Sequence, residues 1–393
     1  MQPIVQKFSV PFQYTVHFTN GIFNLNNPLF SQIFLQDGNN TPRKLFFVVD
    51  SGVAAHHPQL VADIEKYVQH YQQVFKLSGK PVIMPGGEAC KTDYSLVEQI
   101  QQAVNEYGID RHSYIVGIGG GAILDMVGFA AAVSHRGVRL VRIPTTVLAQ
   151  NDSGVGVKNS INAFHKKNFL GTFAPPFAVL NDFDFLLTLD DRDWRSGIAE
   201  AIKVALIKDI HFWQFIKTHA QALANREMNA MQYLIHRCAQ MHLDHIAGGD
   251  PFEMGSARPL DFGHWAAHKM EQLTNYQLRH GEAVAIGIAL DCAYAYLAGM
   301  LTKDELNEII EVMEEIGFQL FDPVLLQREE NAQQVSQLAV IKGLSEFREH
   351  LGGRLTITLL ERIGKGKEVN QIDSALVEKA VYFLQSHSVN INV

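Results

Sequence analysis

Three side chains in the second half of the chain, Glu200, His264 and His280, have the types expected of metal ligands. Glu200 lies in the segment RSGIAEAIK, which is otherwise apolar on that side. His264 begins the predicted helix in GHWAAHKME, His268 follows four residues later on the same face, and His280 begins the next helix in HGEAVAIG. A carboxylate and imidazoles at helix starts suit Zn²⁺ or a similar divalent cation. The chain has 17 histidines, so pairs four apart also arise by chance, and ordinary structural roles stay open.

A glycine cluster in the first half predicts a phosphate-binding turn. The segment Gly117–Ala122 matches G-x-G-x-x-A, follows the strand-like run Ser113–Ile118 and opens onto the helix-like run Ala122–Val133. Glycines let the backbone approach closely, and the free N–H groups of a first helical turn point at an anion. Because the motif comes late in the chain, it argues against the usual dehydrogenase layout.

Two carboxylates in the first half could face a ribose. Asp50 ends an early apolar run, and Glu88 lies in PGGEACK. Capping of a helix or turn is the alternative role. If both residues face the ribose of an adenosine, their charge opposes a 2′-phosphate and favours NAD over NADP.

Lysines near these segments are candidates for binding a phosphorylated substrate. Lys158 and Lys167 lie in a polar stretch that also holds Asp152. Lys203 follows Glu200 by three residues, so both lie on one helix face. Ammonium groups bind phosphate as point charges, although an intrahelical ion pair explains Lys203 equally well.

The elements that must position these residues differ between the two halves. Before residue 185, short apolar runs alternate with helical patterns, which predicts a parallel sheet with helices on both faces. Strands are predicted at Phe8–Phe18, Leu45–Val49, Pro81–Met84, Ser113–Ile118 and Leu140–Pro144, with a long polar loop after the last. Helices are predicted at about 58–75, 93–107 and 122–133.

Helical patterns dominate the rest of the chain. They cover about 192–218, 227–247, 257–273, 280–298, 302–316, 331–343 and 373–386, with one strand-like run at Leu355–Leu360. A chain of 393 residues is too long for one ordinary core. We therefore predict an α/β plus all-α fold. An N-terminal Rossmann-like, parallel-sheet dinucleotide-binding domain (1–185) precedes a mostly helical metal- and substrate-binding domain (186–393).

Composition narrows the class of partner. The net charge is −8, which argues against nucleic acid or an anionic membrane as a partner. No apolar run reaches the roughly 18 residues that a membrane span needs, and the N-terminus lacks the pattern of a signal peptide. The three cysteines have no paired or metal-like spacing, which fits a reducing cytoplasm.

Several long segments, taken in order, resemble one family. The segments GGGAILDMVGFAAAVSHRG, RIPTTVLAQNDSGVGVKNSIN, KKNFLGTF, TLDDRDWRSGIAEAIK, GHWAAH and HGEAVAIG are similar to 3-dehydroquinate synthase and its relatives, the sugar phosphate cyclases. The resemblance runs from about Asp50 to Gly287. It implies a lyase, usually homodimeric, that acts on a seven-carbon sugar phosphate. The steps would be NAD- and metal-dependent oxidation, phosphate elimination, re-reduction and intramolecular aldol cyclisation.

The resemblance also implies roles for particular residues. It assigns the metal, Zn²⁺ or Co²⁺, to Glu200, His264 and His280. It assigns NAD to Asp50, Glu88, Lys91, Gly120, Gly121, Asp125, Thr145, Thr146, Lys167 and Thr188. It assigns catalysis to Asp152, Lys158, Lys203 and His268. It assigns substrate binding to Asn168, Arg258 and Arg136, the last reaching the neighbouring subunit's substrate phosphate. Asp261 and Arg348 lie where other substrate contacts are expected.

This chain departs from dehydroquinate synthase where that family binds a substrate carboxylate. The helix CAQMHLDHIAGGD lacks the expected lysine and has His242, Leu243 or Asp244 in that region, and Asp261 replaces an asparagine. Arg258 lies one residue nearer to His264 than expected, and FREHLGG has Arg348 instead of a lysine. Losing one charged hydrogen-bond partner costs about 1.5–3 kcal/mol. We therefore expect a substrate that need not carry a carboxylate.

Other functions stay open. The segment RPLDFGH is closer to cyclases of sedoheptulose 7-phosphate, although those relatives generally lack the second histidine, which is His268 here. A true 3-dehydroquinate synthase of the shikimate pathway is one alternative. A metal-dependent polyol or alcohol dehydrogenase and a non-catalytic homologue are the others.

Overall fold

The structure is a computed structural model that describes residues 2–35, 41–164, 166–248, 252, 261–330, 336–350 and 353–391. Contacts divide the chain into two compact units. The first unit comprises Met1–Thr145 and Ser153–Thr188, and the second comprises Thr146–Asp152 and Leu189–Val393. The domain boundary between residues 185 and 186 stays a prediction.

Strands in the described ranges lie mostly in the first unit. They are Thr15–Thr19 (β1), Arg43–Asp50 (β2), Phe75–Leu77 (β3), Val82–Met84 (β4), Tyr114–Gly119 (β5), Arg139–Pro144 (β6), Lys158–Ala163 (β7), Lys166–Phe173 (β8), Ala178–Asp182 (β9), Arg328–Glu330 (β10), Ser336–Leu338 (β11), Ile357–Arg362 (β12) and Lys365–Val369 (β13).

Helices cover the sheet and form most of the second unit. They are Leu29–Leu35 (α1), Ser51–His56 (α2), Leu60–His70 (α3), Tyr94–Glu106 (α4), Gly121–Val133 (α5), Asp191–Lys208 (α6), Ile210–Thr218 (α7), Ala220–Ala224 (α8), Met228–Ala247 (α9), His264–Leu273 (α10), His280–Leu297 (α11), Lys303–Ile316 (α12), Lys342–His350 (α13) and Ser374–Ile391 (α14). No helix among the described residues is long and apolar enough to cross a membrane.

A parallel sheet organises the first unit, as predicted. Within the described ranges its seven strands follow the order β1-β9-β6-β5-β2-β3, and β4 also pairs with β2. Alternate residues of β2 face opposite sides: Phe47 packs in one core cluster and Phe46 in another. Burial on both faces explains why this strand is a continuous apolar run. The predicted fold class, an α/β part followed by a mostly helical part, is confirmed.

Several predicted elements differ from the structure, among them one strand, one loop and one helix. The strand over Phe8–Phe18 is confined to β1, because pairing with β9 begins at Thr15. The polar loop after β6 contains an antiparallel hairpin, β7–β8, whose largely polar sequence hides the strand pattern. The helix over 331–343 is wrong in its described part, where β11 pairs with β10 and α13 begins only at Lys342.

All three cysteines are buried and unpaired. Cys90 lies in the first unit, and Cys238 and Cys292 lie in α9 and α11 of the second. Burial raises the pKa of the Cys90 thiol to about 12 and the pKa values of the other two thiols well above their usual value.

A buried arginine in the middle of β6 holds the segment that leads into β7. The Arg142 side chain is fully buried. Its guanidinium donates to the carbonyl oxygens of Gly154 (3.1 Å), Gly156 (2.9 Å) and Lys158 (2.7 Å), and to Oδ1 of Asn159 (2.7 Å). These bonds fix the backbone around Lys158. Arg142 therefore anchors this candidate site residue through the main chain of Lys158.

Replacing this arginine should destabilise the protein. We expect Arg142→Met to lower the free energy of unfolding by about 3 kcal/mol, because it leaves four buried acceptors without their charged donor. Urea denaturation at pH 7 measures the change. Arg139→Met, on the same strand but at its exposed end, is the matched control, and we expect a loss of about 1 kcal/mol. Equal losses in the two variants would contradict the anchoring role.

Candidate active site

The carboxylate of Glu200 lies at the centre of the candidate metal site in the second unit. Oε1 of Glu200 lies 3.4 Å from Nε2 of His264 and 3.3 Å from Nε2 of His280. One ligand atom from each residue lies within 4.8 Å of the others. Glu200 is buried and ion-paired with Lys203, yet neither of its oxygens has a well-aligned hydrogen bond among the described residues. A buried carboxylate in this state fits a bound cation.

Both histidines present the same ring atom to Glu200. Nδ1 of His264 lies 3.0 Å from the carbonyl oxygen of Phe262, and Nδ1 of His280 lies 3.4 Å from Oε2 of Glu271. Burial would lower the pKa of His280, but the carboxylates of Glu200 and Glu271 outweigh it and raise that pKa to about 9. His268, one turn after His264, has its ring centre 5.5 Å from that of His264 and 6.0 Å from that of His280.

A second group of charges adjoins Glu200. Burial would lower the pKa of Lys203, but Glu200, Asp152 and Asp261 outweigh it and raise that pKa. Burial would raise the pKa of Asp152, but His242 and Lys203 hold it below its usual value. Nδ1 of His242 lies 2.9 Å from Oδ1 of Asp152. The buried ammonium of Lys203 is therefore ion-paired with Glu200 and is also attracted by the carboxylates of Asp152 and Asp261.

Asp291 holds the start of the helix that carries His264. This buried carboxylate of α11 accepts from the backbone N–H of Gly263 (2.9 Å) and from Nε1 of Trp265 (2.8 Å), the residues on either side of His264. Burial raises the pKa of Asp291 to about 7, although both hydrogen bonds oppose that rise.

This raised pKa predicts a pH dependence of stability. A folded pKa of about 7 lies above the ordinary 3.8, so the folded state binds the proton more tightly than the unfolded state does. The resulting stabilisation is full below about pH 4 and is lost as the pH rises to 7. As the pH rises from 4.5 to 8, we expect the free energy of unfolding to fall in the unmodified protein. In Asp291→Asn, which has no carboxyl group at this position, the fall should be smaller by about 2–3 kcal/mol. Urea denaturation at several pH values measures this difference, and parallel pH profiles would contradict it.

In the first unit, three of the residues predicted to bind the dinucleotide lie at the carboxyl ends of neighbouring strands. Asp50 ends β2 and caps α2 through the N–H of Gly52 (2.7 Å), while Gly120 and Gly121 begin α5 after β5. The backbone of Gly119 lies so near Asp50 that a Cβ atom there would be 2.8 Å from Cβ of Asp50. Burial raises the pKa of Asp50. The glycine turn and the early carboxylate therefore lie together.

A buried lysine links other predicted residues of this unit. Nζ of Lys91 donates to Asp125 (2.6 Å), to Ser160 (3.1 Å) and to Oδ1 of Asn168. Asn162 donates to Oε1 of Glu88 (3.0 Å), and Nζ of Lys167 lies 3.9 Å from the same oxygen. These two networks attach the β7–β8 hairpin to the residues that follow β4.

The remaining predicted residues lie in various places. In the first unit, Thr145 donates its N–H to Gly119 (3.0 Å), Thr188 contacts His57 (2.9 Å), and Arg136 has a left-handed backbone. In the second unit, the Thr146 hydroxyl accepts from the N–H of Ala149 (3.1 Å), and Arg348 lies exposed on α13. Arg258 lies outside the described residues. The assigned roles of all these residues stay predictions.

Sequence reasoning did not single out three of the residues that position the others. Arg142, Glu271 and Asp291 are polar residues within buried elements, so their partners become visible only in the fold. Glu271 could have been found, because it follows His264 by seven residues and His268 by three, which puts all three on one helix face.

Family models match most of the chain. The model of the 3-dehydroquinate synthase N-terminal part matches residues 81–196, and that of the C-terminal part matches 197–339. The 3-dehydroquinate synthase of Nitrosococcus oceani is 35% identical over 301 residues, 76% of this chain and 81% of that protein. That of Zymomonas mobilis is 35% identical over 310 residues, 78% of each chain.

Solved structures are also similar. ValA, a 2-epi-5-epi-valiolone synthase from Streptomyces hygroscopicus subsp. jinggangensis solved with NAD⁺ and Zn²⁺, superposes with a TM-score of 0.83 at 28% identity. The match covers 98% of this chain and 100% of ValA. A 2-deoxy-scyllo-inosose synthase with carbaglucose-6-phosphate, NAD⁺ and Co²⁺ superposes with a TM-score of 0.74 at 21% identity. That match covers 93% and 95% of the two chains and bears on the fold alone.

Proposed function

This chain belongs to the 3-dehydroquinate synthase family, and from that premise we propose that it is a sugar phosphate cyclase, a carbon–oxygen lyase acting on phosphates. The enzyme uses NAD and a divalent metal ion, Zn²⁺ or Co²⁺. The observation that carries the proposal is the buried Glu200 carboxylate with the Nε2 atoms of His264 and His280 beside it. One carboxylate and two imidazoles form a ligand set suited to such a cation, which would keep a coordination position for a substrate.

The dinucleotide is assigned to the first unit. The N–H groups at the start of α5, at Gly120 and Gly121, are available to a pyrophosphate. Asp50, at the adjoining strand end, would bind a ribose hydroxyl, and its charge disfavours a 2′-phosphate. NAD is therefore the cofactor rather than NADP.

The bound metal would supply Lewis acidity and NAD a hydride acceptor that is regenerated in each turnover. The chain's own residues orient the substrate. Lys158 and Asn168 bind the phosphate, and Asp152 and Lys203 bind the hydroxyl groups of the sugar. His268 lies among the metal-ligand side chains, where its ring can hydrogen-bond to the substrate. A phosphate fixed in this way remains within reach of the proton that its elimination requires.

The charges of the second unit favour a substrate without a carboxylate. Asp152, Glu200 and Asp261 all act on the single ammonium of Lys203. The α9 region that carries a lysine in dehydroquinate synthases carries His242 here, and His242 contacts Asp152 instead of standing free for a ligand. A further carboxylate would meet repulsion and lack its usual partner.

Phosphate release tests this proposal. Purified protein, supplied with NAD and Zn²⁺ or Co²⁺, is assayed with sedoheptulose 7-phosphate and with the carboxylated heptulosonate phosphate. We expect kcat/KM to be at least about tenfold higher for sedoheptulose 7-phosphate, without net NADH production. His242→Lys should shift the ratio towards the carboxylated substrate. Efficient turnover of that substrate by the unmodified protein would instead identify a true 3-dehydroquinate synthase.

A homodimer is part of the proposal. Large apolar side chains are exposed on the first unit at Phe164 and on β8, among them Phe169 and Phe173. An apolar surface of this kind supports association with a second copy. Sedimentation velocity should give twice the 43.9 kDa mass of the chain. The buried thiols support a cytoplasmic location.

A further inference from the structure

A carboxylate on α10 contacts the ring nitrogen of His280 that faces away from Glu200. Oε2 of Glu271 lies 3.4 Å from Nδ1 of His280, while Nε2 of the same ring lies 3.3 Å from Oε1 of Glu200. The Glu271 side chain is 3% exposed. The imidazole therefore lies between two buried carboxylates, one on each nitrogen.

The turn between α10 and α11 brings these two residues together. Glu271 lies in the last turn of α10, and its carbonyl oxygen accepts from the N–H of Tyr276 at 2.7 Å. Asn275 and Tyr276 both have left-handed backbones, with φ of 49° and 61°. This reversal of the chain allows His280, the first residue of α11, to lie against a residue nine positions earlier.

Two kinds of chemistry are compatible with this geometry. His268, Glu271 and His280 themselves have ligand atoms within 4.8 Å of one another, so they could hold a second cation. Alternatively, Glu271 accepts a hydrogen bond from Nδ1–H of His280. A neutral imidazole carries one proton, so a bond at Nδ1 leaves the Nε2 lone pair free for a metal. The second arrangement repeats that of His264, whose Nδ1 faces the carbonyl oxygen of Phe262.

We propose that Glu271 is a positioning residue that accepts a hydrogen bond from Nδ1–H of His280, so that Nε2 of His280 points with Glu200 and His264 towards a single metal ion. The inference rests on the metal dependence in the proposed function. Carboxylates that hold a ligand histidine in this way orient the ring and raise its basicity. Glu271 therefore acts through His280 and touches neither substrate nor metal.

Metal titration of the purified full-length protein tests this inference. Zn²⁺ affinity is measured by competition with a chromogenic chelator, and the stoichiometry by Co²⁺ titration followed in the visible spectrum. We expect one ion per chain, an affinity loss of about 10–100-fold in Glu271→Ala, and a smaller loss in Glu271→Gln, whose amide oxygen can still accept a hydrogen bond from Nδ1–H. Glu308→Gln, which changes a carboxylate bonded to Trp213 in the same unit, is the matched control and should bind as the unmodified protein does.

The outcomes separate the two proposals. If the unmodified protein binds no metal, the proposed function fails. If it binds one ion and both Glu271 variants bind equally well, only the role of Glu271 is overturned. Two ions per chain, with one lost in Glu271→Ala, would make Glu271 a ligand and would also overturn it. If circular dichroism shows that Glu271→Ala does not fold, the comparison of Glu271→Gln with Glu308→Gln decides. Weaker Zn²⁺ binding by Glu271→Gln supports the inference, and equal binding overturns it.

Discussion

Glu200→Gln should abolish metal binding at micromolar concentrations and lower kcat/KM by about a thousandfold. The amide carries no charge, so the Nε2 atoms of His264 and His280 lose the anion beside them. Charge stabilisation by a bound metal contributes several kcal/mol to such reactions, and each 1.36 kcal/mol is a factor of ten in rate. Metal content after dialysis and steady-state phosphate release measure the two effects.

The controls for this variant separate loss of metal from loss of fold. Burial would raise the pKa of Glu200, but Lys203 and His264 hold it well below its usual value, so the group is ionised at neutral pH. Its replacement leaves Lys203 buried with Asp152 as a remaining partner. Glu314→Gln, which alters a carboxylate paired with His387, should keep both metal and activity. A Glu200→Gln protein that retains stoichiometric metal would refute the proposed site.

Gly287→Ala should be the most destabilising single-methyl substitution that the site suggests. A Cβ atom at Gly287 would overlap the carbonyl oxygen of Gly263, and one at Gly263 would lie 2.8 Å from the backbone nitrogen of Ile288. The main chain at the start of α10 is therefore in contact with the main chain in the middle of α11. Because backbone cannot move aside as a side chain can, we expect a loss of about 4 kcal/mol or more in the free energy of unfolding.

The same substitution should also weaken metal binding, because Gly263 immediately precedes His264. Urea denaturation gives the stability, and chelator competition gives the affinity. Gly248→Ala is the matched control: its φ is −71° and the nearest atoms to its new Cβ would be 3.2 Å away. We expect that control to change stability by about 0.5 kcal/mol. Similar values for the two variants would show that α10 and α11 can separate at little cost.

Local sequence carried the information for some elements and not for others. The run LFFVV predicts β2 correctly because a strand that is buried on both faces has a continuous run of apolar residues, which the local sequence shows directly. The hairpin β7–β8 escaped prediction, since β8 is mostly exposed and most residues of the hairpin are polar. In β11 the pairing with β10 overrides a helical pattern.

Residues of the candidate site divide in the same way. Glu200, His264 and His280 could be selected by chemical type and by family resemblance. Arg142 and Asp291 could not, because their importance lies in which distant atoms they contact. The hydrogen bond between Trp265 and Asp291 joins residues 26 positions apart, and no periodicity predicts it.

The burial of the three cysteines gives each unit of this protein a chemical reporter of its own. A thiol that is buried, with a pKa far above neutral, reacts with a disulfide reagent only when the surrounding structure opens. Labelling of Cys90 therefore reports opening of the first unit, and labelling of Cys238 and Cys292 reports opening of the second. Mass spectrometry of the modified peptides can thus compare how often each unit opens, in one sample and without an introduced probe.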